Sequence, residues 1–267
     1  MFIAKADGTT EEFDPRKLVA SLKRAGAKDT VAEHIARDIE QELWDGMSTE
    51  EIYSRAFARL REDRHDLAAR YSLKRAVLDF GPSGFPFEDY IGELFRAEGH
   101  SAKVRQILKG KCVEHEVDVV VQKGDSIVYV EAKFHNAAGF KTDLKTVLYV
   151  QARIDDLGTG GGMVVTNTKF TDRAIEYSSC KGLDLLGWDY PQGATLHDRI
   201  DKAMLYPITA LTTLTKPEKT ALLSQQMVLC NTLPNHTDLL IRVGVTGKKA
   251  DKVLEEVGAL CVPGKGL

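Results

Sequence analysis

Residues 116–133 read EVDVVVQKGDSIVYVEAK and decide the fold of the middle of this chain. Two runs rich in β-branched residues flank Gly124-Asp125, a dipeptide that is typical of a two-residue hairpin turn. In a hairpin with that turn, counting outward along both strands sets Asp118 opposite Glu131. The stretch therefore predicts an antiparallel strand pair in which two carboxylates face each other.

The predicted hairpin has two different faces, because successive side chains of a strand point to opposite sides. One face is apolar and is expected to belong to a core: it carries Val117, Val119, Val121, Val128, Val130 and Ala132. The other face is charged: it carries Glu116 opposite Lys133, and Asp118 opposite Glu131.

The charged face has the composition of a metal site. Directly opposed residues have Cβ atoms about 4.5–5.5 Å apart, so Asp118 and Glu131 repel each other unless a cation lies between them. Carboxylates with room for waters suit Mg²⁺. Lys133 points to the same place, where it could orient a water or neutralise charge in a transition state. The alternative is a solvated hairpin face, on which carboxylates and lysines are common.

The spacing of these residues resembles a known signature. Asp118 followed by Glu131-Ala132-Lys133 resembles the D…(D/E)-x-K pattern of the PD-(D/E)xK nuclease superfamily, and residues 84–198 resemble its Mrr-like restriction endonucleases. A helical segment at 87–95 precedes the hairpin, and segments 163–171 and 186–189 follow it, in the order of that family. Val117 stands where proline is frequent in the family.

The resemblance implies an activity and a cofactor. It implies a restriction-endonuclease-like α/β domain with a mixed sheet that hydrolyses DNA phosphodiester bonds. Mg²⁺ or Mn²⁺ would be held by Asp118 and Glu131, and Lys133 would orient the attacking water.

Two further side chains extend the candidate site. The helix after the hairpin is predicted to bury Leu144, Val147, Leu148 and Ile154. Gln151 lies on the same stripe, and a buried amide needs partners that an active site would supply; the resemblance implies a glutamine on this helix. Glu88 follows Phe87 at the start of the preceding helix, where the resemblance implies a metal ligand or base. A solvated first-turn glutamate is the alternative.

The first eighty residues predict a small hairpin and four helices. Residues 2–5 and 9–13 flank the turn dipeptide Asp7-Gly8. Asp14-Pro15 provides an N-cap and a proline for the first helix. Ser48-Thr49-Glu50-Glu51 is typical of a capping box at the start of the third.

This region resembles an ATP-cone, the nucleotide-binding regulatory module of ribonucleotide reductases and their repressors. The residues that carry the resemblance are Ile3-x-Lys5-x-Asp7-Gly8, Phe13-Asp14-x-x-Lys17-Leu18 and Ala69-Arg70-Tyr71. It implies that ATP or dATP binds at Lys5, Gly8 and Lys17, where ammonium groups and the free N–H groups of the first helix suit phosphates. The family usually has arginine in place of Ala6. A helical domain used only for docking or oligomerisation is the alternative.

Residues 200–267 predict a helical extension. Its segment 239–250, LLIRVGVTGKKA, resembles a helix-hairpin-helix, a turn whose backbone N–H groups hold a DNA phosphate. The candidate DNA-binding residues are Gly244, Gly247, Lys248 and Lys249. The alternative is a glycine turn that caps a helix inside a bundle.

Residues 81–86 contain two prolines and two glycines, which cannot continue a helix and therefore predict a linker. We expect domains at 1–80, 87–199 and 200–267.

A content of 28% charged and 43% hydrophobic residues excludes global disorder. No apolar run is long enough to span a membrane. Four widely spaced cysteines disfavour a zinc site, including the zinc ribbon of a reductase repressor, and fit a reducing cytoplasm. The net charge of −3 argues neither for nor against DNA binding.

These observations combine into one expected function. We expect a metal-dependent DNA endonuclease, regulated by ATP or dATP at its N-terminal domain. Because cones often set oligomeric state, a homo-oligomer is also expected. The alternative is a nucleotide-responsive DNA-binding protein whose nuclease fold is catalytically inactive.

Overall fold

The structure is a computed structural model that describes residues 1–5 and 8–261. Ala6 and Asp7, which belong to the predicted N-terminal turn, lie outside the described residues.

The N-terminal region folds as the predicted hairpin followed by helices. Its elements are β1 (Phe2–Ala4), β2 (Thr10–Glu12), α1 (Pro15–Arg24), α2 (Asp29–Gln41), α3 (Thr49–Asp63), α4 (His65–Tyr71) and α5 (Leu73–Leu78). The predicted fourth helix is therefore two short helices, α4 and α5. They are interrupted at Ser72, whose hydroxyl donates to the Ala69 carbonyl over 3.0 Å, a bond that competes with regular helix.

Helix starts in this region follow their capping residues. The Asp14 carboxylate accepts from the Arg16 amide over 2.9 Å, and Pro15 occupies the first turn of α1, as predicted. Ser48 accepts from the Glu51 amide over 3.1 Å at the start of α3. The side chain of Glu51 lies 3.4 Å from Arg55 instead of completing the predicted capping box.

The central region is the predicted α/β domain. Its elements are α6 (Phe85–Ala97), β3 (Ser101–Lys109), β4 (Glu114–Lys123), β5 (Ser126–Lys133), β6 (Lys141–Thr142), α7 (Leu144–Leu157), β7 (Gly161–Thr166), β8 (Lys169–Phe170), α8 (Asp172–Lys181) and β9 (Asp184–Leu186). Within the described residues its main sheet has the strand order β3-β4-β5-β7-β9. The first three strands are antiparallel, and β5, β7 and β9 are parallel, so the sheet is mixed as predicted.

The predicted apolar face of the hairpin is a core. Val117, Val119, Val121, Val130 and Ala132 are all buried. All of these except Val117 share a cluster with Phe87, Ile91 and Leu94 of α6. Helix α6 begins at Phe85, so the last two residues of the predicted linker belong to it; Pro86 is tolerated there because the first turn needs no amide donor.

The opposite face of the sheet is covered by α7 and α8. The buried positions of α7 are Val147, Val150 and Arg153. The predicted burial of Leu148 is wrong, since that side chain is 43% exposed. The buried residues of α7 recur at every third position, 147, 150 and 153, and the last of these positions is an arginine.

The C-terminal region is helical, as predicted. Its elements are α9 (Leu196–Ala203), α10 (Lys216–Ser224), α11 (Thr237–Arg242) and α12 (Gly247–Cys261), with 3-10 turns at Ile208–Ala210 and Leu233–Asn235. These helices share a hydrophobic core with α5, α6 and the sheet. The Tyr90 hydroxyl of α6, for example, donates to the Leu205 carbonyl over 2.6 Å. Within the described residues, none of the helices has the length and apolar character that a membrane span requires.

Candidate active site

The register of the decisive hairpin is the predicted one, but its ladder ends before the carboxylates. Backbone pairing runs from Lys123–Ser126 to Val119–Val130. Beyond that point the predicted pairing of Asp118 with Glu131 is replaced by a different contact. The Ala132 amide donates to Asp118 Oδ2 over 2.7 Å. This arrangement gives the carboxylate a hydrogen-bond donor, which direct pairing of two acidic residues would not provide.

Strand β3, which pairs with β4, is also irregular at Arg105. In the β3–β4 ladder Val104 pairs with Val119 and Gln106 with Val117, while Arg105 is skipped. Arg105 has a φ of 50°, in the left-handed region that non-glycine residues seldom adopt. The irregularity directs its guanidinium to α6, 2.7 Å from Asp89 and 3.4 Å from Glu88.

Glu131 is paired with a buried arginine. Arg153 Nη2 lies 2.8 Å from Glu131 Oε2, and only 4% of the Arg153 side chain is exposed. The guanidinium also lies 4.7 Å from the centroid of the Tyr149 ring, a cation–π contact. Sequence reasoning missed both Arg105 and Arg153. The phase of Arg153 with Val147 and Val150 was the signal that could have found it.

The electrostatics of the cluster are unfavourable to the ionised form of Asp118. Burial, and secondly the charge of Glu131, raise the pKa of Asp118 to about 7, against the opposing effect of the Ala132 amide. Glu88 makes a smaller contribution to the same shift. Burial likewise raises the pKa of Glu88, opposed by Arg105. A cation bound among these carboxylates would stabilise their ionised forms.

The two remaining candidate residues differ in burial, since Lys133 is exposed and Gln151 is partly buried. Lys133 is exposed at the end of β5, where its backbone pairs with Thr166, and within the described residues its ammonium group forms no hydrogen bond or ion pair. Gln151 Nε2 donates to Asp155 Oδ1 over 2.8 Å. Gln151 Oε1 is buried and has no hydrogen-bond partner among the described residues. Such an orphaned acceptor is compatible with the predicted supporting role, which stays a prediction.

The donor set fits a divalent cation that keeps most of its waters. In the described part of the chain, no group of three or more His, Cys, Asp or Glu side chains is arranged to hold an ion. Mg²⁺ needs only one or two carboxylates besides waters. Asp118 accepts a hydrogen bond at Oδ2, while Glu131 Oε2 lies in ion-pair contact with Arg153 without the geometry of a hydrogen bond. Each therefore has a second oxygen for a metal, with Arg153 as the competing cation.

The N-terminal candidate residues converge on an acidic residue that was not predicted. Lys5 Nζ and Lys17 Nζ lie 2.8 and 2.9 Å from Glu11 Oε2. Hydrogen bonds from these two lysines lower the pKa of Glu11. Gly8 has a φ of 83°, which suits the predicted turn. Lys5 and Lys17 are therefore brought together, but a phosphate there would have to compete with Glu11.

The four predicted DNA-binding residues of the C-terminal region are two turn glycines, one lysine with an internal partner and one exposed lysine. Gly244 and Gly247 have positive φ angles of 82° and 53° and form the turn between α11 and α12. Val245 between them is fully buried. The ammonium of Lys249 lies 2.6 and 2.7 Å from the two oxygens of Glu218, so the structure gives this predicted DNA ligand an internal partner. Lys248 is exposed.

Comparisons with known proteins agree with this architecture. Three family models match the chain: an ATP cone domain at residues 1–79, a restriction endonuclease at 82–189, and the model "AF1548-like, C-terminal" at 206–261. The predicted resemblance to an ATP-cone fused to an Mrr-like nuclease is thereby confirmed.

Individual relatives match a longer stretch of this chain than any one of the three family models does. An uncharacterised protein of Archaeoglobus fulgidus is 33% identical over 170 residues, which are 62% of this chain and 97% of that protein. The crystal structure of AF1548, a protein of unknown function, is 31% identical with a TM-score of 0.56, covering 66% of this chain and 98% of that one. The DNA modification-dependent restriction endonuclease AspBHI is 16% identical with a TM-score of 0.33 over 70% of this chain and 39% of its own, too distant to carry an argument.

Proposed function

The chain belongs to the AF1548-like family, and from this premise we propose that it is a metal-dependent DNA endonuclease regulated by an adenine nucleotide. The observation that carries the proposal is the arrangement of Asp118 and Glu131 on neighbouring strands, with Lys133 two residues beyond Glu131 on the same strand. The raised pKa of Asp118 supports it, because its ionised form is unfavourable without a cation and the nearby Arg153 is paired with Glu131 instead.

Each residue of the site has a distinct task in this proposal. A bound Mg²⁺ or Mn²⁺ would polarise the scissile phosphate and make a coordinated water more acidic. Asp118 and Glu131 would hold the ion through their second oxygens. Lys133, whose ammonium group is uncommitted among the described residues, would orient the attacking water or stabilise negative charge on the phosphate. Glu88 and Gln151 would support the first two residues from α6 and α7.

The proposal predicts cleavage of plasmid DNA by the full chain in Mg²⁺ or Mn²⁺ and none in a chelator. The measurement is conversion of supercoiled plasmid to nicked or linear forms, repeated with ATP and with dATP. Binding of DNA without cleavage under every metal condition would favour the catalytically inactive alternative. A cleavage rate that is the same with and without ATP or dATP would contradict only the proposed regulation by nucleotide.

The turn at Gly244 and Gly247 is proposed as a phosphate contact that reads no sequence. Lys248→Ala should weaken binding to all DNA sequences alike, and the slope of log affinity against log salt should shrink by about 0.9. Lys249→Ala is the matched control. Since its ammonium is bound to Glu218, its loss should leave the salt slope unchanged and lower stability by about 1 kcal/mol or less. Equal slopes for Lys248→Ala and the natural protein would make the turn a structural one.

Assembly into a homo-oligomer and a cytoplasmic location remain parts of the proposal. Sedimentation of the full chain with and without ATP tests the first of them.

A further inference from the structure

A small two-stranded sheet follows the candidate active site along the chain. Strands β6 and β8 are parallel, and their register sets Lys141 beside Lys169 and Thr142 beside Phe170. Thr142 and Phe170 are buried, so the two lysines lie on the outer face of this strand pair, where both are exposed. Like charges at paired positions of neighbouring strands repel each other. The arrangement therefore places two lysine side chains next to each other on the surface.

The acidic side chains near these lysines neutralise them only in part. Asp189 Oδ2 lies 3.9 Å from Lys169 Nζ, and more than half of each side chain is exposed, so the pair is weak. Asp189 also acts on Lys74 of α5: burial lowers the pKa of Lys74, Asp189 opposes that shift, and Lys169 adds to it. Asp143 caps the start of α7. Within the described residues the ammonium group of Lys141 has no ion-pair partner. Positive charge is thus in excess on this surface, which suits a polyanion.

An exposed aromatic ring adjoins the lysine pair. Phe140 directly precedes Lys141 and is 58% exposed. Its ring stacks on that of His135, with centroids 5.9 Å apart and planes inclined by 7°. Burial and, secondly, the charge of Lys133 lower the pKa of His135, so its ring is largely neutral at pH 7. The two rings are parallel and uncharged, and much of the Phe140 surface remains open to solvent.

His135 is itself held to the nuclease sheet. Asn167, fully buried after the end of β7, accepts from the His135 amide over 2.9 Å and donates to the His135 carbonyl over 2.7 Å. His135 Nε2 and Thr142 Oγ1 are 3.1 Å apart. Strand β5 ends at Lys133, two residues before His135. The position of the Phe140 ring relative to the candidate active site is therefore fixed through His135.

We propose that Phe140, Lys141 and Lys169 form a stacking surface that holds unpaired nucleotides of the DNA strand next to the cleaved bond. The lysines would contact phosphates, and the ring of Phe140 would stack on a base. Aromatic stacking combined with positive charge along the backbone suits single strands and needs no particular sequence. Inside a duplex both faces of each base are covered by their neighbours, so duplex DNA would contact the lysines alone. The inference rests on the proposed function and names its substrate class: single-stranded DNA, or duplex DNA with an unpaired stretch at the site of cleavage.

Binding of DNA in a chelator tests the stacking surface without cleavage. The probes are a single strand carrying 2-aminopurine at several positions and the duplex that it forms with its complement. We expect tighter binding of the single strand, and a loss of 2-aminopurine emission where that base stacks on Phe140. Phe140→Ala should raise the Kd of the single strand about five- to a hundredfold, remove this quenching and leave the duplex Kd unchanged. Phe140→Trp should retain the stacking. Trp44→Ala is the matched control, because Trp44 is also an exposed aromatic residue but belongs to the N-terminal region.

The salt dependence of the same binding tests the lysine pair. Lys141→Met and Lys169→Met should each shrink the slope of log affinity against log salt by about 0.7 for the single strand. Neither should lower the Tm, since removing one charge relieves the repulsion of the other. Lys181→Met serves as control, because Lys181 is exposed at the far end of α8, and it should leave the slope unchanged.

Any of three results would overturn the stacking surface. They are equal affinities for single strand and duplex that Phe140→Ala does not alter, quenching that persists in Phe140→Ala, and salt slopes that Lys141→Met and Lys169→Met leave unchanged. Cleavage in Mg²⁺ of plasmid, and of a duplex with an unpaired stretch, is measured separately. A protein that binds single strands as expected but cuts neither DNA would contradict the nuclease proposal alone. One that cuts plasmid but binds single strands equally well after Phe140→Ala would contradict the stacking surface alone.

Discussion

Asp118→Asn is expected to abolish DNA cleavage and, at the same time, to stabilise the metal-free protein at pH 8. Activity should fall about a hundredfold or more, because the amide cannot replace a charged metal ligand. The amide oxygen can still accept from the Ala132 N–H, which the carboxylate does in the structure. Stability should rise because the ionised form of Asp118 is disfavoured by burial and by Glu131.

The direction of the pKa shift of Asp118 determines the pH range in which this residue affects stability. The folded-state pKa of about 7 lies above the ordinary value of 3.8, so the folded protein binds more protons than the unfolded chain between these values. The stability of the natural protein should therefore fall as pH rises from 4 to 7, by about 4 kcal/mol at most. Asp118→Asn should remove that decline, so the two proteins should converge near pH 4.

Thermal unfolding in a chelator at several pH values measures the effect. Glu116→Gln is the matched control, because Glu116 is exposed on the same strand and should change neither stability nor cleavage strongly. Lys133→Ala should also abolish cleavage, without the gain in stability. Nicking at the natural rate by either Asp118→Asn or Lys133→Ala would refute the assignment of the site. A large fall in the Tm of Asp118→Asn would contradict the unfavourable electrostatics.

Arg153→Met is expected to destabilise the metal-free protein by about 3–5 kcal/mol, the usual cost of removing one partner of a buried ion pair. The reason is that Glu131, whose side chain is only 12% exposed, would be left beside Asp118 without a cation. Chemical denaturation in a chelator measures the loss. Adding Glu131→Gln to the variant should recover much of it, since the uncompensated charge is then removed.

The same variant separates two roles of the arginine. If Arg153 competes with the metal for Glu131, Arg153→Met should bind Mn²⁺ more tightly, and Mn²⁺ should restore more stability to the variant than to the natural protein. If Arg153 only orients Glu131, metal affinity should fall. Arg242→Met serves as control, because its pair with Asp238 is exposed and should be worth about 1 kcal/mol or less. A loss below that level for Arg153→Met would contradict a buried pair.

Those parts of the fold that depend on local patterns were predictable from the sequence. The dipeptide Gly124-Asp125 and the alternating valines fix both the register of the hairpin and the face that is buried, and the structure shows both. The cap at Asp14-Pro15 fixes the start of α1 in the same way. In each case the deciding interactions lie within a few residues of one another, so the sequence displays them directly.

The candidate site was predictable only in part, because long charged side chains find partners from distant elements. Arg153 reaches Glu131 from α7, and Lys249 reaches Glu218 from α12. Spacing along α7 indicates that Arg153 is buried, but the partner of neither cation follows from spacing along the chain. Arg105 is harder still, since its left-handed backbone interrupts a strand whose sequence gives no sign of an irregularity. Leu148 shows the related error of a stripe taken one position out of phase.

Because the three regions share one hydrophobic core, the boundaries of the matched families do not mark places where the chain can be divided into separately folded parts. Leu73, Ala76 and Val77 of α5 fall inside the ATP-cone match, yet they are buried with the nuclease sheet and the C-terminal helices. The Thr209 hydroxyl donates to the Ala76 carbonyl over 2.6 Å, which ties the C-terminal region to the same helix. Cutting the chain at the end of the cone would therefore expose an apolar surface on both pieces. The three modules are better regarded as one cooperative unit than as independently exchangeable parts.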